Sequence, residues 1–238
     1  MKKIIFTIIV CGFVMATSAQ KKTGDFILSL NGGLAIPTGN FAKGDYSDPT
    51  SGFASTGPTF NLAGTYYLNN HWGIGALIGY SQFGYNGSQS LADGYKEDSG
   101  TDSTTLYVKG NNHSFSILIG PYYRIAAGKN IFIDLRLLGG YVNTTLAGFQ
   151  VFYEDYTDNA MSQKESSGGA FGFQAGLGVR YQISDKFSVQ ANGDYFSSTP
   201  NIAINYDNFI VNSGRKLSSY NEPISGINAT IGIAYRLF

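Results

Sequence analysis

The sequence predicts an all-β fold, an eight-stranded antiparallel up-and-down transmembrane β-barrel, on three observations. Apolar residues recur at every second position in eight segments, tight turns alternate with long polar loops between them, and charge avoids one face of every segment. Composition agrees, because 31 Gly, 17 Tyr and 17 Phe in 238 residues stand against only 13% charged residues, a mixture rich in strand and turn formers. The length suits one domain.

The chain begins MKKIIFTIIVCGFVMATSAQ, in which Lys2 and Lys3 precede an apolar run from Ile4 to Ala16 and then small residues. These are the parts of a secretory signal, so residues 1–19 are expected to be a signal peptide cut after Ala19, and residues 20–238 one outer-membrane β-barrel domain. The apolar run is shorter than the roughly 20 residues a membrane-spanning helix needs. Cys11, the single cysteine, lies inside this leader, which leaves the exported chain without a disulfide, a thiol nucleophile or a thiolate metal site. Without Lys2 and Lys3 the balance is 14 basic to 16 acidic residues, and no basic patch invites nucleic acid.

The first strand, Phe26 to Ile36, sets Phe26, Leu28, Leu30, Leu34 and Ile36 against Ile27, Ser29, Asn31, Gly33 and Ala35. The second, Thr59 to Leu68, sets Phe60, Leu62 and Tyr66 against Asn61, Ala63, Thr65 and Tyr67. In the third, Trp72, Ile74, Ala76, Ile78 and Tyr80 oppose Gly73, Gly75, Leu77 and Gly79. The fourth sets Phe115, Ile117, Ile119, Tyr123 and Ile125 against Ser114, Ser116, Tyr122 and Arg124, and the fifth sets Ile131, Ile133, Leu135, Leu137 and Tyr141 against Phe132, Asp134, Arg136 and Leu138. The sixth has Phe171, Phe173, Leu177, Val179 and Tyr181 opposite Gln174, Gly176, Gly178 and Arg180. The seventh, the weakest, has Phe187, Val189, Ala191 and Tyr195 opposite Ser188, Gln190, Asn192 and Asp194. The eighth has Ile227, Ile231, Ile233, Tyr235 and Leu237 opposite Asn228, Thr230, Ala234 and Arg236.

Asn69 to His71, Ala126 to Lys129 and Ser184 to Lys186 read as tight turns. Between them run four long polar loops, roughly 37–57, 86–112, 150–169 and 200–225. Short turns at one rim and long loops at the other are the rhythm of a membrane barrel. A soluble barrel alternates too, so charge decides which face is outside. The apolar face of all eight segments carries no Asp, Glu, Lys or Arg. A lipid-facing Arg or Lys near mid-bilayer costs about 2–4 kcal/mol, which accounts for that exclusion.

Aromatic placement follows the same logic, since amphipathic rings favour the headgroup level. Phe26, Tyr66, Trp72, Tyr123, Tyr181, Phe187 and Tyr235 form a girdle at the short-turn ends, and Phe60, Tyr80, Phe115, Tyr141, Phe171 and Tyr195 a second at the loop ends. Ten strand steps from Phe26 to Ile36, tilted about 40°, rise roughly 25 Å, the height of the apolar band. Inside, an eight-stranded lumen is only wide enough for side chains, so a plugged interior is expected in which Arg124, Arg136, Arg180 and Arg236 pair with Asp134 and Asp194.

With leader, strands, long loops and the ending Ala-Tyr-Arg-Leu-Phe assembled, the chain resembles the small outer-membrane β-barrel family of OmpX-like and OmpA-transmembrane-like proteins, especially the Bacteroidetes members labelled porin family. The resemblance covers essentially the whole mature chain and rests on pattern. It implies a cell outer membrane location, contact with lipid and lipopolysaccharide, and recognition of the last strand by the barrel-assembly machinery. One departure is that Phe238 is off the register of Tyr235 and Leu237 by one position.

Chemistry is thin. Some barrels of this kind modify lipid A, but His113 and Ser114 are adjacent on a strand and face opposite ways, so no enzymatic activity is expected. His71 reads as an interfacial turn residue. Asp93, Glu97, Asp98 and Asp102 could gather around Ca²⁺, but without EF-hand spacing they read as a solvated acidic loop, and no cofactor or metal is expected. The loop aromatics Phe152, Tyr153, Tyr156, Tyr206 and Phe209 either pack the loops together or anchor an extracellular protein or glycan. The expected role is structural or surface-interacting, with a small-solute channel as the alternative and a lipid A-modifying enzyme behind it.

Overall fold

The computed structural model describes residues 24–153, 161–209 and 219–238; the expected signal peptide, residues 1–19, and Tyr156 lie outside them. In chain order the strands are β1 (Asp25–Pro37), β2 (Ala54–Ser55), β3 (Gly57–Tyr67), β4 (Trp72–Tyr85), β5 (Thr104–Lys109), β6 (Asn112–Ala126), β7 (Ile131–Leu146) and β8 (Gly148–Tyr153). There follow β9 (Met161–Gln163), β10 (Ser166–Gln182), β11 (Phe187–Ser198), β12 (Asn201–Ala203), β13 (Tyr206–Phe209), β14 (Ser219–Asn221) and β15 (Ile224–Arg236). Helix α1 (Ser88–Ser99) stands between β4 and β5.

Among the described residues, eight strands run in the order β4-β3-β1-β15-β11-β10-β7-β6, and pairing of β4 with β6 closes the ring; all these ladders are antiparallel. Closure removes every free edge, the condition for a sheet in a bilayer. No described helix is long and apolar enough to cross a membrane. The first and last strands seal against each other from Ile27 opposite Arg236 to Pro37 opposite Gly226. Phe238 resolves its off-register position by turning outward, where its ring stacks on Phe26 at 6.0 Å and its carbonyl accepts from the Phe26 N–H at 3.0 Å.

The alternation of faces follows the sequence pattern. Leu30, Leu62, Ile78, Ile119, Leu137, Leu177 and Ile231 are exposed on the outer wall, while Asn31, Asn61, Leu77, Leu118, Leu138 and Thr230 are buried inside. A water-soluble sheet would reverse that cost; here the outer wall meets lipid.

Two expectations need correction. Several strands run past the apolar band on the loop side, β7 to Leu146 and β10 from Ser166, because the polar positions Thr144, Thr145, Ser166 and Ser167 still find ladder partners there. Among the described residues, much of the long loops also forms elements. β5, β8, β9 and β13 form a four-stranded sheet, β12 pairs with β14, and α1 fills residues whose polar sequence reads as loop. Helix α1 buries Leu91, Ala92 and Tyr95 on one face and ends at Gly100, whose φ of +68° lets its N–H reach the carbonyls of Lys96 and Glu97.

Candidate functional site

Two regions collect polar or aromatic side chains away from lipid: the barrel interior and the cap on its loop rim. In the interior, strand alternation turns every second residue inward, and the polar ones meet across the lumen. Asp134 accepts from Arg180 Nε at 2.9 Å and from the Tyr67 hydroxyl at 2.7 Å, and lies 3.5 Å from Arg124 Nε. Arg124 Nη1 also donates to Asp25 at 3.0 Å, and its guanidinium lies 3.4 Å from the Tyr67 ring centre. Phe132 packs beneath both arginines, 4.8 Å from Arg180 and 5.5 Å from Arg124.

Arg136 forms a separate, bidentate pair with Asp194: Nε to Oδ1 is 2.5 Å and Nη2 to Oδ2 is 2.6 Å, while Nη1 donates to Asn192 at 3.1 Å. An amide chain continues from there, with Asn31 Nδ2 donating to Asn61 at 2.7 Å and Gln190 Nε2 donating to Asn31 Oδ1 at 2.7 Å. The cavity these groups line holds about 20 Å³, space for about one water.

Arg236 departs from the expected pairing with Asp134 or Asp194. Its Nη2 sits 3.7 Å from Asp25 Oδ2 at the short-turn mouth, half-open to solvent. Asp25, Tyr67 and Phe132 join the interior charges through contacts that face alternation alone does not reveal, although Asp25 does share the inward parity of Ile27.

Glycine clears space for the bidentate pair. A Cβ on Gly176 would lie 2.0 Å from Asp194 Oδ1 and 2.7 Å from the Gly193 carbonyl. Gly176→Ala is therefore expected to push Asp194 off Arg136 and destabilise the barrel by about 1–3 kcal/mol, read from its urea midpoint. An unchanged midpoint would mean that the pair can shift without loss.

Five of the seven aromatics expected at the short-turn rim lie in ring pairs. Trp72 meets Tyr123 edge-on at 4.8 Å, Phe187 meets Tyr235 edge-on at 5.0 Å, and Phe26 meets Phe238. Tyr66 is half-buried, and Tyr181 stands exposed on the same outer wall. His71 stacks on Tyr123 at 5.8 Å, with Nδ1 3.1 Å from the Arg124 carbonyl.

Over the loop rim, Ala35, Phe41, Ala54, Phe83 and Ile224 make an apolar layer backed by Phe196. Above it a second cluster joins Phe53, Leu91, Tyr95, Phe149, Val151, Tyr153 and Met161, with Tyr46, Tyr85 and Tyr206 packed against it. Of the expected loop aromatics, Tyr153 and Tyr206 thus pack the cap. Phe152 points to the other side of the cap sheet, edge-on to Tyr107 at 5.5 Å, and Phe209 lies in β13. Missing from the sequence reading are Tyr46, Phe53, Tyr85, Tyr95 and Phe149, scattered over three polar segments whose short elements carry no sustained period. At the cap edge, Asp48 is held down to about 2, first by the Thr50 hydroxyl, then by the Thr50 N–H and Lys43, so this turn stays charged in acid.

The remaining candidates do not converge. Ser114 Oγ bonds Thr144 inside the barrel at 2.9 Å, while half-buried His113 turns to the Asn111 carbonyl and the Tyr80 ring. Asp93, Glu97 and Asp98 lie on α1 rather than in a loop; Asp93 accepts from Gln89 at 2.9 Å and Asp98 from the Tyr46 hydroxyl. Among the described residues no three His, Cys, Asp or Glu side chains gather as a metal site.

The profile of a family described as outer membrane protein beta-barrel domain matches residues 7–216. Among solved structures, a major outer membrane protein from Thermus thermophilus is similar at 13% identity and a TM-score of 0.55, over 90% of this chain and 99% of that one. Ail, the attachment invasion locus protein of Yersinia pestis, aligns at 16% identity and a TM-score of 0.45, over 91% of this chain and 100% of that one. OprG from Pseudomonas aeruginosa aligns at 14% identity and 0.44, over 91% and 97%. The likeness to the Thermus protein is one of fold. No curated protein matches the chain.

Proposed function

This chain belongs to the outer membrane protein beta-barrel domain family, is integral to the outer membrane, and from that premise we propose that it is a closed barrel whose working surface is the cap on its loop rim. The observation that carries this reading is the way the lumen is filled: paired charges leave about 20 Å³ among them, and the apolar layer around Phe41 and Phe83 lies over the loop end. A path for solutes needs continuous water, and buried pairs of this kind oppose it. The cap, by contrast, is built on a rigid support and carries aromatic side chains, the arrangement in which recognition is usually found.

In this reading residues 1–19 are the export signal, β15 with Phe238 is what the assembly machinery handles, and the outer wall and girdles contact lipid and lipopolysaccharide. The partner is an extracellular protein or glycan, and no chemistry is assigned. Planar-bilayer recording of the purified barrel is expected to show no stable conductance, and cells displaying a chain with β5, β8 and β9 trimmed to short turns are expected to lose matrix adhesion. A stable large conductance would overturn the closed lumen, and undiminished adhesion after trimming would overturn the cap as working surface.

A further inference from the structure

The cap encloses a cavity of about 80 Å³ between α1, the four-stranded sheet and the loop ends of β6 and β7. Tyr46, Phe53, Tyr85, Tyr95, Phe149 and Tyr206 wall it, and no charged side chain among the described residues lines it. The rings are themselves held in place. Tyr46 meets Tyr95 edge-on at 5.1 Å, and Phe53 lies parallel to Tyr85 at 5.9 Å. A Cβ at Gly94 would fall 2.1 Å from the Tyr46 ring, so the helix gives up its side chain there to let that ring approach.

Two independent features mark this cavity out. Asn112, only 1% exposed, lines it; its Oδ1 accepts from the Ala147 N–H at 2.8 Å, but its Nδ2 donates to nothing among the described residues. A buried amide donor left unmatched is costly, and native proteins leave few of them. Phe53 has a φ of +51°, a region a bulky side chain rarely adopts. Its N–H to the Lys43 carbonyl at 2.8 Å and its carbonyl to the Asn86 N–H at 2.6 Å keep it there. Such strain collects at ligand clamps.

The wall chemistry narrows the ligand. Six rings without a charge favour an uncharged group with an apolar face, and the unmatched group is a donor, so the ligand must bring an acceptor. The volume of about 80 Å³ is roughly half that of a cavity that admits benzene, which limits the inserted group to about three or four non-hydrogen atoms. An acetamido group meets all three conditions, its methyl against the rings and its carbonyl oxygen accepting from Asn112 Nδ2. We propose that the cap cavity binds the acetamido group of an N-acetylated amino sugar, with the sugar ring seated at the rim by exposed Pro49 and half-buried Tyr46 and Tyr206. This rests on the reading of the cap as the working surface and names what that surface holds.

The test is a saturation-transfer NMR titration of the full barrel in lipid nanodiscs, with N-acetylglucosamine and glucose as probes. N-Acetylglucosamine is expected to bind saturably with its acetyl methyl most strongly saturated, and glucose is expected to show no transfer. Asn112→Asp keeps the Ala147 hydrogen bond and the volume but opposes an acceptor, so binding is expected to weaken at least about tenfold. Phe149→Leu removes a wall ring without touching that hydrogen bond, serves if Asn112→Asp fails to show heat-modifiable migration, and is expected to weaken binding too. Absence of binding, equal binding of glucose, or unchanged affinity in a folded variant would overturn the proposal, the first leaving Asn112 with water alone. Lost adhesion on trimming the cap, without sugar binding, sinks this inference and leaves the surface reading intact.

Discussion

Asp134→Ala is expected to destabilise the folded barrel by about 3–5 kcal/mol, because it strips the carboxylate from two arginines at once and leaves them buried. Arg180 has its Nε bond to Asp134 at 2.9 Å, and the Tyr67 hydroxyl loses its acceptor in the same step. Arg124 retains Asp25, which holds the cost to the single-pair range. Asp25→Ala, at a mouth where the carboxylate is 35% exposed and Arg236 stands 3.7 Å away, is expected to cost much less, about 0–1 kcal/mol for the solvated Arg236 contact plus a share of the Arg124 bond. Urea titrations in detergent, followed by heat-modifiable migration, read both. An Asp134→Ala midpoint equal to that of Asp25→Ala would show that water satisfies the interior arginines.

Ile231→Arg is expected to cost about 2–4 kcal/mol, and Tyr235→Arg on the same strand only about 0–1 kcal/mol, because the penalty for a lipid-facing cation depends on depth. Ile231 is the better probe because it is 73% exposed between Gly32 and Ala191, where no neighbouring side chain can shelter a guanidinium. Tyr235 is the next-to-last residue of β15, at its short-turn end, so an arginine there reaches water along its own stem. Equal costs at the two positions would place the bilayer centre away from Ile231.

The ring of strands is legible in the sequence because lipid imposes a rule that local pattern alone can express: no charge on one parity of each strand. That rule places Arg124, Asp134, Arg136, Arg180 and Asp194 inside without knowledge of register. It cannot say which arginine meets which carboxylate, since that depends on strand stagger around a closed ring, and so Arg236 lies beside Asp25. Asp25 itself sits one residue before the apolar run that marks its strand. The cap is illegible for a different reason. Leu91, Ala92 and Tyr95 give α1 little more than one turn of apolar signal, Gly94 interrupts it, and the strands of the cap sheet are three to six residues long. Their order comes from packing on a barrel that must already exist.

The interior pairs also bear on how such a barrel can close. Asp134 finds Arg124 and Arg180 on the strands directly beside it, yet Asp25 and Arg124 belong to β1 and β6, with β3 and β4 between them, and Arg136 and Asp194 belong to β7 and β11, across β10. Neighbouring contacts can form in a flat sheet, whereas the spanning ones need the sheet to curve until strands two or three places apart face each other, so they report on curvature and not on adjacent pairing alone.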